Sequence, residues 1–166
     1  MNLETTTTTN NSNIYVKEYI VENNSYPIIN ILNNVHIFEL IYELNGNLLQ
    51  KFKKKLISDS QINTICYMKN LSGLILDNFY LDINVIKINT NDYITYNVTN
   101  SNLEFDNIQF KLFNVKISKL HTSKYLIEIE YEINEEIYSK PIVNIFKKIM
   151  MKLFSNLETY LCKITT

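Results

Sequence analysis

The stretch Ser139–Ile164, SKPIVNIFKKIMMKLFSNLETYLCKI, decides the fold. Ile142, Phe146, Ile149, Met150, Leu153, Leu157, Leu161 and Ile164 recur at the 3.6-residue period of an amphipathic helix. Lys147, Lys148, Lys152, Ser155, Asn156 and Glu158 lie mainly off that stripe. Ser139 or Lys140 stands at the cap, and Pro141 fits the first turn, where its missing N–H costs nothing. About 25 residues at 1.5 Å each span roughly 37 Å, enough to cross a curved sheet. The stripe needs a partner layer, and a single sheet cannot bury its own inner face.

The sequence upstream of the helix supplies that sheet. From Lys51 to Asn134 apolar residues alternate with polar ones, predicting strands at Lys51–Ser58, Ile62–Lys69, Leu74–Ile88, Asp92–Thr99, Ile108–Lys119 and Lys124–Asn134. The separators are short and rich in Asn, Ser and Asp, which joins antiparallel neighbours. In the last strand Ile127, Ile129, Tyr131 and Ile133 share one face and Glu128, Glu130 and Glu132 the other, a core face and a solvated face. The apolar parity of Ile108–Lys119 flips between Leu112 and Phe113, which predicts a β-bulge there.

Before the meander, Asn13–Val21 reads as a first strand carrying Ile14, Val16 and Ile20. Asn23-Asn24-Ser25 with Pro27 predicts a helix start. Ile28 to Leu44 then carries one or two short helices, with a break near Asn33-Asn34 and an end at Gly46.

The chain has 166 residues, 46% of them apolar and 20% charged, with a net charge of −1. That length suits one domain, set at 13–166, preceded by a polar tail over 1–12 built around the Thr5–Thr9 run and expected to be disordered. The charge balance excludes the basic footprint of a nucleic-acid binder. No apolar run is long enough for stable membrane insertion. The N-terminus lacks the basic and apolar regions of a signal peptide, so a cytoplasmic chain with Cys66 and Cys162 as free buried thiols is expected. Asn, Ile, Lys and Tyr abound while Arg, Ala and Trp are absent, the codon set of an AT-rich genome. Asn is therefore the default polar residue, and its sequons at Asn10, Asn23, Asn70 and Asn97 carry no weight.

Strand, short helices, six-stranded meander and long terminal helix form an unusual order. It resembles the helix-grip fold of the Bet v 1-like superfamily, which includes START domains, plant pathogenesis-related class 10 proteins and polyketide cyclases. Leu153–Leu161, LFSNLETYL, is similar to the terminal helix of the plant proteins. Their Gly-rich loop between the second and third strands is replaced by Ser58-Asp59-Ser60-Gln61, so none of their ligand contacts is carried over. The resemblance implies an α+β fold with a curved seven-stranded antiparallel sheet wrapped around the long helix. It also implies a cavity between them for lipids, sterols, quinones or polyketide-like molecules.

Periodicity places Phe79, Leu81, Ile83, Tyr96, Ile129, Tyr131, Phe146, Met150, Phe154 and Leu157 on the faces that would line such a cavity, or that would simply be core. A buried hydroxyl on Tyr96 or Tyr131 needs a partner. Catalytic sets are missing: His36 falls on a helix, His121 in a turn, and there is no metal-binding spacing, phosphate loop or nucleophile elbow. Asp77 and Asp82 lie on opposite faces by parity, so one is expected to point inward, with a raised pKa if buried. No catalytic residue, metal ligand or cofactor is assigned. Lys51, Lys53, Lys54 and Lys55 form the one charge cluster, an edge strand guarded by lysines or a transient contact with anionic lipid or protein. The expectation is a monomeric, non-enzymatic binder or carrier of a small hydrophobic ligand. The alternatives are an interaction module with a filled core, or a cyclase- or hydrolase-type enzyme using the same cavity.

Overall fold

The computed structural model describes residues 14–69 and 79–165. The expected tail, the turn at 70–73 and the start of the predicted strand at Leu74, with Asp77, lie outside the described residues. The elements run β1 (Tyr15–Glu22), α1 (Ile29–Leu32), α2 (Ile37–Glu43), β2 (Leu49–Ser58), β3 (Gln61–Met68), β4 (Tyr80–Asn89), β5 (Tyr93–Asn100), β6 (Phe110–His121), β7 (Lys124–Ile133) and α3 (Lys140–Lys163). The strands form one curved antiparallel sheet in the order β1-β7-β6-β5-β4-β3-β2. β1 therefore returns beside the last strand, and β1 and β2 become opposite edges. The short helices between them have to cross beneath the sheet.

Alternation builds the inner face. In β7, Tyr125, Ile127, Ile129, Tyr131 and Ile133 are buried while the glutamates between them face out. α3 lays Val143, Phe146, Ile149, Met150, Leu153, Phe154, Leu157 and Leu161 against this face. Val143 and Phe154 take core places, whereas Ile142 and Ile164 of the expected stripe are only half-buried flanks. Ser139 occupies the N-cap in an extended conformation, with Pro141 in the first turn.

Three local expectations are corrected. The bulge lies one step earlier than the parity argument put it. Phe110 pairs with Ile133 and Leu112 with Glu132, so Lys111 is the extra residue and Leu112 joins the outer face. α2 ends at Glu43, before Gly46, because the Asn45 amide donates to the Ile41 carbonyl at 2.7 Å and takes over a helical acceptor. Asn23 does not start a helix: its Oδ1 accepts the Ser25 and Tyr26 N–H groups at 2.9 Å as an Asx turn, and α1 begins only at Ile29.

Asn23 instead serves the far end of α3. Its Nδ2 donates to the carbonyls of Leu161 and Ile164, both at 2.8 Å. These are among the acceptors that a helix C-terminus leaves unpaired. At the other end, the Tyr138 hydroxyl lies 2.5 Å from the Asn107 carbonyl and accepts from Gln109 N–H at 3.2 Å, tying the approach to α3 onto the segment before β6.

Phe146 is fully buried and meets Phe79 and Tyr138 edge-on at 5.2 and 5.3 Å. Phe146→Ala is expected to cost about 3–5 kcal/mol in urea unfolding. Phe146→Asp should abolish the cooperative transition, while Met151→Asp, on the exposed face of the same helix, should leave it within about 0.5 kcal/mol. Equal effects at Phe146 and Met151 would contradict the packing.

The cysteines differ from expectation. Cys66 is buried and its thiol is pushed up to about 12 by desolvation, but Cys162 is exposed. Alkylation at pH 8 should modify one thiol in the native protein and both in denaturant, as read by mass spectrometry.

Candidate functional site

The grip between α3 and the sheet is the place to look for a site. The crossing of α1 and α2 brings Phe38, Ile41 and Tyr42 up against the middle of α3. Opposite them stand Leu81 and Ile83 of β4 and Phe113 of β6; Met150, Leu153 and Phe154 come from α3 itself. These nine side chains surround a void of about 10 Å³. A void of that size holds at most one water.

The lining is apolar apart from the Tyr42 hydroxyl, and that hydroxyl is engaged with Thr64 Oγ1 at 3.2 Å. Burial raises the Tyr42 phenol far above its ordinary range, so it stays protonated. A polar clasp closes one side. Asn45, fully buried, donates to the Leu153 carbonyl at 3.2 Å, and its Oδ1 accepts from Asn156 at 2.7 Å. This single amide joins the end of α2 to α3 next to two of the lining residues.

The ten residues expected at the site are all buried, but they do not converge. Leu81, Ile83, Met150 and Phe154 meet at the void. Tyr96 stands behind it, its ring against Phe38 at 5.7 Å and its hydroxyl donating to the Leu32 carbonyl at 2.6 Å. Tyr131 lies towards the β1 edge, stacked on Tyr15 at 5.4 Å with its hydroxyl 3.5 Å from the Lys147 carbonyl. Burial raises both phenols. Phe79 and Phe146 belong to an aromatic cluster with Tyr138 at the start of α3. Ile129 and Leu157 are core residues away from the void.

Phe38, Ile41, Tyr42, Phe113 and Leu153 were missed as lining. The i, i+3, i+4 spacing of Phe38, Ile41 and Tyr42 was the available signal on α2.

The ionisable candidates lie elsewhere. His36 precedes α2, half exposed, with Nδ1 3.1 Å from Glu39. Glu39 is held below its usual range, chiefly by its hydrogen bond to Lys54. His121 is exposed at the end of β6. Asp82 is on the outer face and accepts the amides of Asn63 and Asn102 at 3.1 Å each, while Asp77, the other member of the pair, lies outside the described residues. Among the described residues no carboxylate, imidazole or amine lines the void. None of their acidic, histidine and cysteine groups forms a metal-binding cluster, and none of their helices is long and apolar enough to cross a membrane.

No protein-family model matches the chain, and no curated protein matches it in sequence. Solved structures do match. Human StAR-related lipid transfer protein 5 superposes with a TM-score of 0.66 at 13% identity, over 89% of this chain and 74% of that one. The major latex-like protein 151 of Panax ginseng gives 0.51 at 14%, over 89% and 97%. Norcoclaurine synthase from Thalictrum flavum gives 0.55 at 11%, over 90% and 85%. At these identities the likeness concerns the backbone: the chain has the helix-grip fold of the Bet v 1 and START type.

Proposed function

We propose that this chain binds a small hydrophobic molecule between α3 and the sheet and carries it without altering it. Lipid, sterol, quinone and polyketide-like molecules are the candidate classes. The observation that carries this reading is the void at the grip, walled by apolar groups and placed where α2 meets α3 over the sheet, the contact that would part to enlarge it. Among the described residues one hydroxyl stands in its wall, and it already has a partner, so the site offers shape and apolar contact rather than proton transfer. Lipid transfer belongs to the human neighbour and norcoclaurine synthesis to the plant one; here the lining favours binding over chemistry.

Entry requires opening. A ligand-sized pocket needs about 300 Å³ or more, against about 10 Å³ in the closed grip. Burying about 300 Å² of ligand surface contributes roughly 7 kcal/mol. Association and the separation of α2 from α3 take back most of it. Micromolar affinity is the expected outcome. Met150 is the lining residue best able to change rotamer around a guest.

A second reading draws on the same void. Its closure is what a protein-interaction module with a filled core would have, with function moved to the outer surface.

Titration of the chain with an environment-sensitive apolar dye and a lipid and sterol panel separates the two. Carrier function predicts saturable one-to-one binding. Leu81→Trp should abolish it, at a stability cost of about 1–3 kcal/mol. Asn45→Ala removes the clasp. It should lower stability by about 1–3 kcal/mol and yet tighten binding, because the closed state loses more than the open one. No saturable binding in either the parent or Asn45→Ala selects the interaction module, and product formation selects an enzyme.

A further inference from the structure

The sheet does not close. β1 and β2 are its edges, and among the described residues neither pairs with a further strand. Each therefore presents unpaired N–H and C=O groups along one side. The edges carry opposite charge on the outer face of the sheet. On β2, Lys51, Lys53 and Lys55 alternate on that face, exposed, while Lys54 turns inward to Glu39 of α2. None of the three outer lysines has an ion-pair partner among the described residues.

On β1 the outer face carries Glu18 and Glu22, with the exposed Ile20 between them. Glu18 sits directly opposite Glu128 in the β1–β7 register, a like-charge pair. Lys116 answers Glu128 at 3.3 Å and Lys124 answers Glu22 at 3.5 Å, while Glu18 is left without a cation among the described residues.

The topology limits how these edges can be used. Six antiparallel steps separate β1 from β2, so the two edges run in the same direction. Pairing β2 with a second β2 sets lysines against lysines, and pairing β1 with a second β1 sets glutamates against glutamates. Charge disfavours both two-fold arrangements. What remains, with outer faces on one side, is β2 of one molecule laid parallel to β1 of the next.

We propose that the chain assembles head to tail through this contact, the partner being a second copy of itself. The register that matches the charges places Glu18 opposite Lys51 and Glu22 opposite Lys55, with Ile20 against the aliphatic stem of Lys53. The strands, of 8 and 10 residues, are long enough to hold it. Such a contact uses two different surfaces and propagates into a ring or a chain. The lysines that guard β2 against its own kind select a strand bearing carboxylates. This departs from the monomer expected from the sequence.

Sedimentation velocity of the full chain over a wide concentration range tests the assembly. Reversible association beyond dimer is expected, weaker at about 0.5 M salt than at about 0.05 M. Glu18→Lys and Lys51→Glu should each weaken it by about tenfold, with circular dichroism unchanged because both sites are exposed. The double variant E18K/K51E should restore it, and E18K/K55E should not. A chain that stays monomeric at every concentration, or association indifferent to these charges, would overturn the proposal. So would a monomer that instead captures a Glu-rich extended peptide or anionic vesicles through Lys51, Lys53 and Lys55, since the edge would then belong to another partner.

Discussion

The burial of one face of α3 in the concave side of an open antiparallel sheet is the interaction on which everything else depends. Neither layer is stable alone. The inner residues of β4 to β7 would be bare without the helix, and eight helix side chains would be bare without the sheet. The helix is also held by polar groups, at the end of its backbone ladder and at a buried carbonyl in its middle. Asn23 takes carbonyls at its C-terminus, and Asn45 takes the Leu153 carbonyl in its middle. In a composition where Asn is the default polar residue, a few asparagines have become the brackets of the core.

Topology turns this packing into a site. Because β1 pairs with β7 and β2 is the opposite edge, the chain has to cross under the sheet between them. The crossing segment includes α2, and it meets α3 rather than the sheet alone. The void lies where that crossing, β4, β6 and α3 come together. Its smallness and its apolar wall are both consequences of four elements converging at one place with no carboxylate, imidazole or amine among the described lining residues.

The elements were legible in the sequence because their signals are local. The alternation of Ile127, Ile129, Tyr131 and Ile133 with glutamates marks β7 without reference to anything distant, and the α3 stripe marks the helix. Features set by distant contacts were not legible. Leu112 looks like core but faces out, because the bulge at Lys111 comes first. Gly46 looks like the stop of α2, but Asn45, held in place by Leu153 and Asn156 of α3, acts before it. Four of the ten expected site residues meet at the void, since periodicity tells which face a residue is on and not where along the groove it falls. Phe79 and Phe146 share the buried face with Met150 yet serve an aromatic cluster at the helix start. The α2 contribution depends on the crossing, which follows from the pairing of β1 with β7.

A closed, apolar grip is consistent with a protein that exchanges a guest for its own side-chain contacts, keeping the interior filled in either state. On that account the chain in its own cells carries a guest for part of the time. Native mass spectrometry of the chain purified gently from those cells tests this most directly. The account predicts a population with one non-covalent adduct, extractable into organic solvent and lost on unfolding. Bare chain as the sole species, across preparations and without detergent, would contradict it.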